Sequence, residues 1–248
     1  MKISIITVAY NAEKTIEDAI QSVLNQTYNN IEYIIVDGKS SDATLDIISK
    51  YPEITKVISE PDNGLYDAMN KGIQVASGAV IGILNADDVY ANEHVIQSIA
   101  NTFLSNDCDA TYGDLVYVKE NDLNAVVRNW KSGIYNEGDF RKGWMPPHPT
   151  FFVKKDCLEK HGTFNLDFRT SADYELMLRL IHKHKIRLAY LPELIVRMRV
   201  GGQSNASLKN RITANKEDRK AWEVNGLKPG NLTLIRKPLS KIKQFWSK

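Results

Sequence analysis

Cysteine is scarce in this chain. Cys108 and Cys157 are the only two in 248 residues, and their isolation excludes both a disulfide framework and a clustered zinc site, so a reducing, cytoplasmic setting is expected. No apolar run approaches the roughly 18 residues that span a bilayer. The short apolar start, 1–8, lacks a small-residue cleavage site and reads as a first strand, not a signal peptide. Charge of one sign is also lacking: 32 basic residues against 30 acidic ones leave +2, which excludes a general nucleic-acid binder. Glycine is missing where two enzyme classes need it. Ala9, Tyr10, Asn11, Ala12 and Glu13 follow the first strand, leaving no GxGxxG turn for a dinucleotide oxidoreductase and no glycine-rich basic loop for a nucleotidyltransferase. There are no internal repeats.

What is present is a βαβ series. Strand-like runs at 3–8, 31–36, 54–58 and 79–84 recur about every 25 residues with helical spacing between them, the pattern of a parallel sheet covered on both faces. Ile16, Ala19, Ile20, Val23 and Leu24 form one apolar stripe, with Glu17, Asp18 and Gln21 turned away. Further helical segments are read at 42–51 and 65–77. Ligands gather at the carboxyl ends of such strands, so the loops at 7–11, 37–42, 59–64 and 85–88 should share one rim. From 109 the pattern turns β-rich, at 109–118 and 126–130. A Pro-rich loop at 145–149, a strand at 150–153 and a helix over 171–184 come next, then a polar helix over 205–224.

The fourth strand runs straight into Asn85, Ala86, Asp87 and Asp88. Two carboxylates at the end of a buried central strand are poorly solvated, and a cation or a metal-bound diphosphate is their natural partner. Asp88 as N-cap of a helix at 91–104 is the structural alternative. From Lys228 to Lys248 there is no acid. Lys228, Arg236, Lys237, Lys241, Lys243 and Lys248 alternate with Leu232, Leu234, Ile235, Leu239, Ile242, Phe245 and Trp246. That is a basic amphipathic tail suited to an anionic membrane surface, the alternative being a solvated, dimer-forming helix.

These blocks together resemble the family-2 glycosyltransferases of the GT-A fold, in the bacterial polysaccharide-assembly branch. The resemblance runs from 5–11 through 35–42, the stretch 59–72, the 85–88 loop and 172–180. It implies a Rossmann-like nucleotide-sugar-binding α/β sheet with helices on both faces and a C-terminal helical tail. The expected organisation is a GT-A domain at 1–226, divided into a donor nucleotide half at 1–108, an acceptor half at 109–204 and a helix at 205–226, followed by the tail at 227–248.

The resemblance also assigns roles. Thr7 and Ala9 would offer backbone groups, Tyr10 a stacking face for the base, and Asn11, Asp37 and Lys39 further contacts to the donor nucleotide. Tyr10 as an amphipathic strand-end residue is the alternative. The chain departs from the family at Gly38, often an acid, and at Lys39, often a glycine. Asp67 and Lys71 would lie beside the donor sugar, with Asp62 and Asn70 unassigned and Met69 and Ile73 core. Asp87 would meet the ribose or the metal's water shell, and Asp88 would bind Mn²⁺ or Mg²⁺. Asp173 would be the general base, its alternative being a first-turn acid favoured by the helix dipole. His148 would contact acceptor or diphosphate or serve the loop's structure, and Arg197 and Arg199, in the segment 197–204, would belong to a mobile loop over the diphosphate or to a plain turn.

The function expected from the resemblance is inverting, metal-dependent transfer of a sugar from a nucleotide donor, with a UDP-sugar foremost. The acceptor would be a glycan or lipid-linked saccharide in polysaccharide biosynthesis of the cell envelope. The expected location is the cytoplasm, with the tail as a peripheral contact to the inner membrane face. A nucleotide-sugar-binding scaffold with a dead site is the non-enzymatic alternative, against which the retention of Asp87, Asp88 and Asp173 speaks.

Overall fold

The computed structural model describes residues 1–201, 208–230 and 233. Most of the tail expected at 227–248 therefore lies outside the described residues, as do 205–207 and the expected loop residues 202–204. In chain order the elements are β1 (Ile3–Ala9), α1 (Ile16–Leu24), β2 (Ile31–Asp37), α2 (Thr44–Ile48), β3 (Lys56–Ser59), α3 (Leu65–Val75), β4 (Val80–Asn85), β5 (Asp88–Tyr90) and α4 (Val95–Ser105). The second part adds β6 (Ala110–Lys119), β7 (Asp122–Trp130), β8 (Phe152–Lys154), α5 (Lys155–His161), α6 (Ala172–Met177), β9 (Leu188–Arg199) and α7 (Leu208–Val224).

The strands form one sheet in the order β3-β2-β1-β4-β8-β6-β9-β5, with β7 hydrogen-bonded to β6. The first four run parallel. β2, β1 and β4 are buried on both faces, so their side chains alternate between two cores instead of between core and water, while β3 at the edge is largely exposed. Ile6 and Val8 of β1, Ile34 and Val36 of β2, and Ile81 and Ile83 of β4 pack with α3 and α6. Ile3, Ile5, Tyr33, Ile35, Val80 and Leu84 pack with α1 and α4 on the other side.

The sheet changes character after β4, which pairs antiparallel with β8. Phe152 crosses directly over Gly82, where a Cβ would overlap the phenyl ring; the glycine permits the two strands to close. β8 in turn pairs with β6, which runs parallel to β9, and β5 closes the far edge against β9.

Several sequence expectations shift here. The third strand begins at Lys56 instead of residue 54. The acidic loop leads into strand β5, and the following helix begins only at Val95 with His94 at its N-cap position, so Asp88 caps no helix. The helix expected over 171–184 is α-helical only to Met177 and continues as a π-helical stretch at Leu178–Lys183. Arg197 and Arg199, expected in a mobile loop or a turn, are the last residues of the twelve-residue strand β9. Among the described residues no helix is long and apolar enough to cross a membrane.

Candidate active site

Strand register brings the expected rim together. Ala9 pairs with Asp37, Asp37 with Ser59, and Val8 with Asn85, so the loops leaving β1, β2, β3 and β4 start side by side. The first two are tied to each other: Gly38 donates its N–H to the Ala9 carbonyl at 2.8 Å, and the Asn11 N–H reaches Ser40 Oγ at 2.8 Å. Asn11 and Lys39 both sit in the left-handed region, at φ 49° and 63°, a conformation asparagine tolerates better than lysine.

The carboxylate of Asp37 is fully buried. Ser40 N and Ser59 Oγ donate to its Oδ2 at 3.0 and 2.7 Å, and Ser40 Oγ to its Oδ1 at 2.5 Å. It organises this corner from within. Thr7 is not brought to the rim: it lies inside β1, paired on both sides, and its hydroxyl accepts from Tyr33 at 3.1 Å. Tyr10, by contrast, stands 64% exposed at the strand end.

A carboxylate the sequence left unassigned lies beside it. A Cβ on Gly38 would come within 2.5 Å of Asp62 Oδ2 and 3.3 Å of the Tyr10 ring, so the acid absent at position 38 is matched in space by Asp62, 24 positions later. Asp62 Oδ1 accepts from Gly64 N at 2.8 Å. Lys71 braces this loop through Glu60 at 2.9 Å, the Pro61 carbonyl at 2.8 Å and Asp67 at 3.8 Å; the Glu60 contact holds its ammonium above the usual lysine range. Asp67 in turn accepts from Asn63 N at 2.9 Å. Both residues secure the loop.

The acidic loop is electrostatically demanding. Asp88 is fully buried; its Oδ2 accepts from Asn85 Nδ2 at 3.2 Å, while Asp88 Oδ1 and Asn85 Oδ1 have no hydrogen-bond partner among the described residues. Burial, joined by the charge of Asp87, pushes the Asp88 carboxyl well above its ordinary range, and burial raises Asp87 too, against the pull of Arg199. Buried oxygen acceptors left bare are costly, and hard oxygens are what a divalent cation of the Mg²⁺ or Mn²⁺ type takes. The residues fit such an ion. Among the described residues no cluster of three His, Cys, Asp or Glu side chains could enclose one.

Arg199 is close to this loop but turned inward. Only 6% exposed, it donates to the Asp87 carbonyl at 2.8 Å and the Glu120 carbonyl at 3.0 Å and pairs with Asp18. Arg197 donates to the Leu123 carbonyl at 3.2 Å. The cation that the sheet sets on the Asp88 face is a different one. Asp88 pairs with Met198, Met198 with Tyr117, and Tyr117 with Arg128, and cross-strand partners share a face. The Arg128 guanidinium lies over the Tyr117 ring at 4.3 Å and near Trp130 at 5.5 Å. Burial pushes the Tyr117 phenol up, opposed by Arg128 and reinforced by the charges of both Asp88 and Asp173.

Asp173, half-buried in the first turn of α6, accepts from the Tyr66 hydroxyl at 3.1 Å. With His148, Phe164, Leu176 and Met177 it lines a small, largely apolar cavity of about 20 Å³, room for about one water. Burial lowers the His148 imidazole, against the charge of Asp173. The structure thus groups Asp173 with His148. It also brings forward Tyr66 and Asp62, which lie in the 59–72 stretch without an assigned role there, and Tyr117 and Arg128, which lie in none of the matching stretches.

Residues 4–162, more than half of the chain, match the family Glycosyl transferase family 2. An uncharacterised glycosyltransferase of Nostoc sp. is 36% identical over 234 residues, covering 88% of this chain and 70% of the relative. Two solved structures share the fold. TarS of S. aureus in complex with UDP-GlcNAc gives a TM-score of 0.70 at 17% identity over 91% of this chain and 65% of that one. The mannosyltransferase PcManGT of Pyrobaculum calidifontis in complex with GDP-Man and Mn²⁺ gives 0.67 at 17% identity over 95% and 68%. The chain belongs to glycosyl transferase family 2 and has the GT-A fold.

Proposed function

We propose that this glycosyltransferase moves a sugar with inversion from a nucleotide-sugar donor to a hydroxyl of a glycan or lipid-linked acceptor, using a divalent cation. The observation that carries the reading is the pair of bare buried oxygens, Asp88 Oδ1 and Asn85 Oδ1, at the end of β4. The solved relatives bound to UDP-GlcNAc and to GDP-Man with Mn²⁺ support the same kind of donor.

In this reading Tyr10 stacks on the base, Asp62 accepts from its N–H groups, and Asn11, Asp37 and Lys39 shape the loop around the ribose. Asp88 and Asp87, with Asn85, hold Mn²⁺ or Mg²⁺. When bound, the ion neutralises charge on the donor diphosphate. Asp173 takes the proton of the acceptor hydroxyl as that oxygen bonds to the anomeric carbon, the bond to the diphosphate breaks, and the diphosphate departs with its electron pair. One in-line displacement inverts the centre. His148, neutral beside Asp173, borders the acceptor. A role in polysaccharide assembly at the inner face of the cell membrane, with the basic tail as the contact, is part of this proposal.

Calorimetric titration with UDP, GDP, TDP and CDP, each with and without Mn²⁺, tests it. Metal-dependent binding of one nucleotide, lost in Asp88→Ala, is expected. Binding of none, or binding indifferent to metal, would overturn the metal-dependent donor site.

A further inference from the structure

Tyr66 comes from α3, 107 residues before Asp173, and its hydroxyl meets Asp173 Oδ1 at 3.1 Å. The phenol is not there by chance rotation. Its ring is 8% exposed and stacks on Phe164 with centroids 5.4 Å apart and planes 28° from parallel. Phe164 is itself pinned to α3: Asn70 Nδ2 donates to its carbonyl at 2.9 Å, and its N–H donates to Asn70 Oδ1 at 3.0 Å. Helix α3 therefore supplies both the hydroxyl and the clamp on the ring beneath it. Burial, with the charge of Asp173 added, pushes the Tyr66 phenol well above its ordinary range, so it stays protonated and can only donate to the carboxylate.

A donor fixed on one carboxylate oxygen restricts the rotation of the group and leaves the other oxygen to act. Among the described residues no hydrogen bond reaches the second oxygen of Asp173. The titratable groups facing this pair are His148, Tyr117 on β6 and, toward Tyr66, Glu217 on α7.

We propose that Tyr66 is a positioning residue, holding Asp173 through Oδ1 so that Oδ2 is the oxygen that takes the acceptor's proton. The inference rests on Asp173 being the general base. It also joins two parts of the site, because α3 begins at the loop that carries Asp62. Helix α3 thereby links the base on α6 to the donor loop.

Tyr66→Phe removes the hydroxyl and keeps the ring on Phe164. Two readouts are taken on the full chain: the pH midpoint of the Asp173 carboxyl ¹³C signal, identified by its loss in Asp173→Asn, and release of nucleoside diphosphate from the best-binding nucleotide sugar with water as acceptor. Loss of a donor to a carboxylate favours its protonated form, so Tyr66→Phe is expected to move the midpoint upward and lower kcat about tenfold with donor KM unchanged. A midpoint unmoved in folded Tyr66→Phe overturns the inference, whatever the turnover. So does an unchanged kcat when Asp173→Asn is inactive, and in that case the general-base reading stands. Full turnover in Asp173→Asn would overturn that reading and the inference with it.

Discussion

Arg199 and Asp87 lie 112 positions apart, and the arginine Nη1 donates to the aspartate carbonyl at 2.8 Å. The guanidinium leaves the last residue of β9, reaches under the acidic loop, and also binds the Glu120 carbonyl and Asp18. A buried planar fork used this way fixes main chain. Arg199→Ala is expected to cost about 3 kcal/mol in urea denaturation, because it leaves carbonyls and a carboxylate without their donor. Arg197→Ala, losing a single 3.2 Å bond to Leu123, should cost under about 1 kcal/mol. Equal losses would refute the distinction.

Asp88→Asn keeps the shape of a fully buried carboxylate and removes its charge. Burial and the neighbouring Asp87 both disfavour that charge, so the metal-free variant is expected to be about 1–3 kcal/mol more stable than the parent near neutral pH. Thermal scans with and without Mn²⁺ check this: the parent gains stability on adding the ion and the variant does not. A less stable metal-free variant would argue that the carboxylate is already satisfied.

Asp173→Asn should leave nucleotide affinity close to that of the parent while lowering transfer by about 10²–10⁴-fold, the range of a lost general base. Calorimetry and nucleotide release measure the two separately. A parallel fall in affinity would point to a donor-binding role.

Glu32 supplies a pH test remote from the site. It is 7% exposed and accepts from Lys2 at 3.1 Å, Ser77 N at 2.7 Å, Ser77 Oγ at 2.6 Å and Ser4 Oγ at 2.5 Å. Burial acts to raise its carboxyl, but the hydrogen bonds from Ser4, Ser77 and Lys2 prevail and hold it at about 2, against 4.5 for the free group. A depressed carboxylate contributes stability above its unfolded value and loses it as pH falls through the folded one. The contribution, about 3 kcal/mol, should be present above pH 4.5 and vanish toward pH 2. Glu32→Gln should lower stability at neutral pH and flatten its dependence across that window; denaturation at several pH values decides.

The sequence by itself determined the parallel strands β1, β2 and β4, because Ile3, Ile5, Ile6, Ile34, Ile35, Val80 and Leu84 fall in short apolar runs recurring between helical segments, the pattern of strands covered on both faces. It also determined that Asp87 and Asp88 follow directly on such a strand and that Asp173 opens a helix, since both are matters of chain neighbours. What it could not carry is the pairing of distant segments. Whether Asp88 would cap a helix or begin a strand depended on β9 arriving beside it, and the same event took Arg199 out of an expected loop and turned it under Asp87. The meeting of Asp62 with Gly38, of Tyr66 with Asp173, and of Arg128 with Tyr117 is likewise a product of helix packing and strand register. Local periodicity reports which face of an element is apolar; only the closed sheet decides which polar groups from remote elements come to share one cleft.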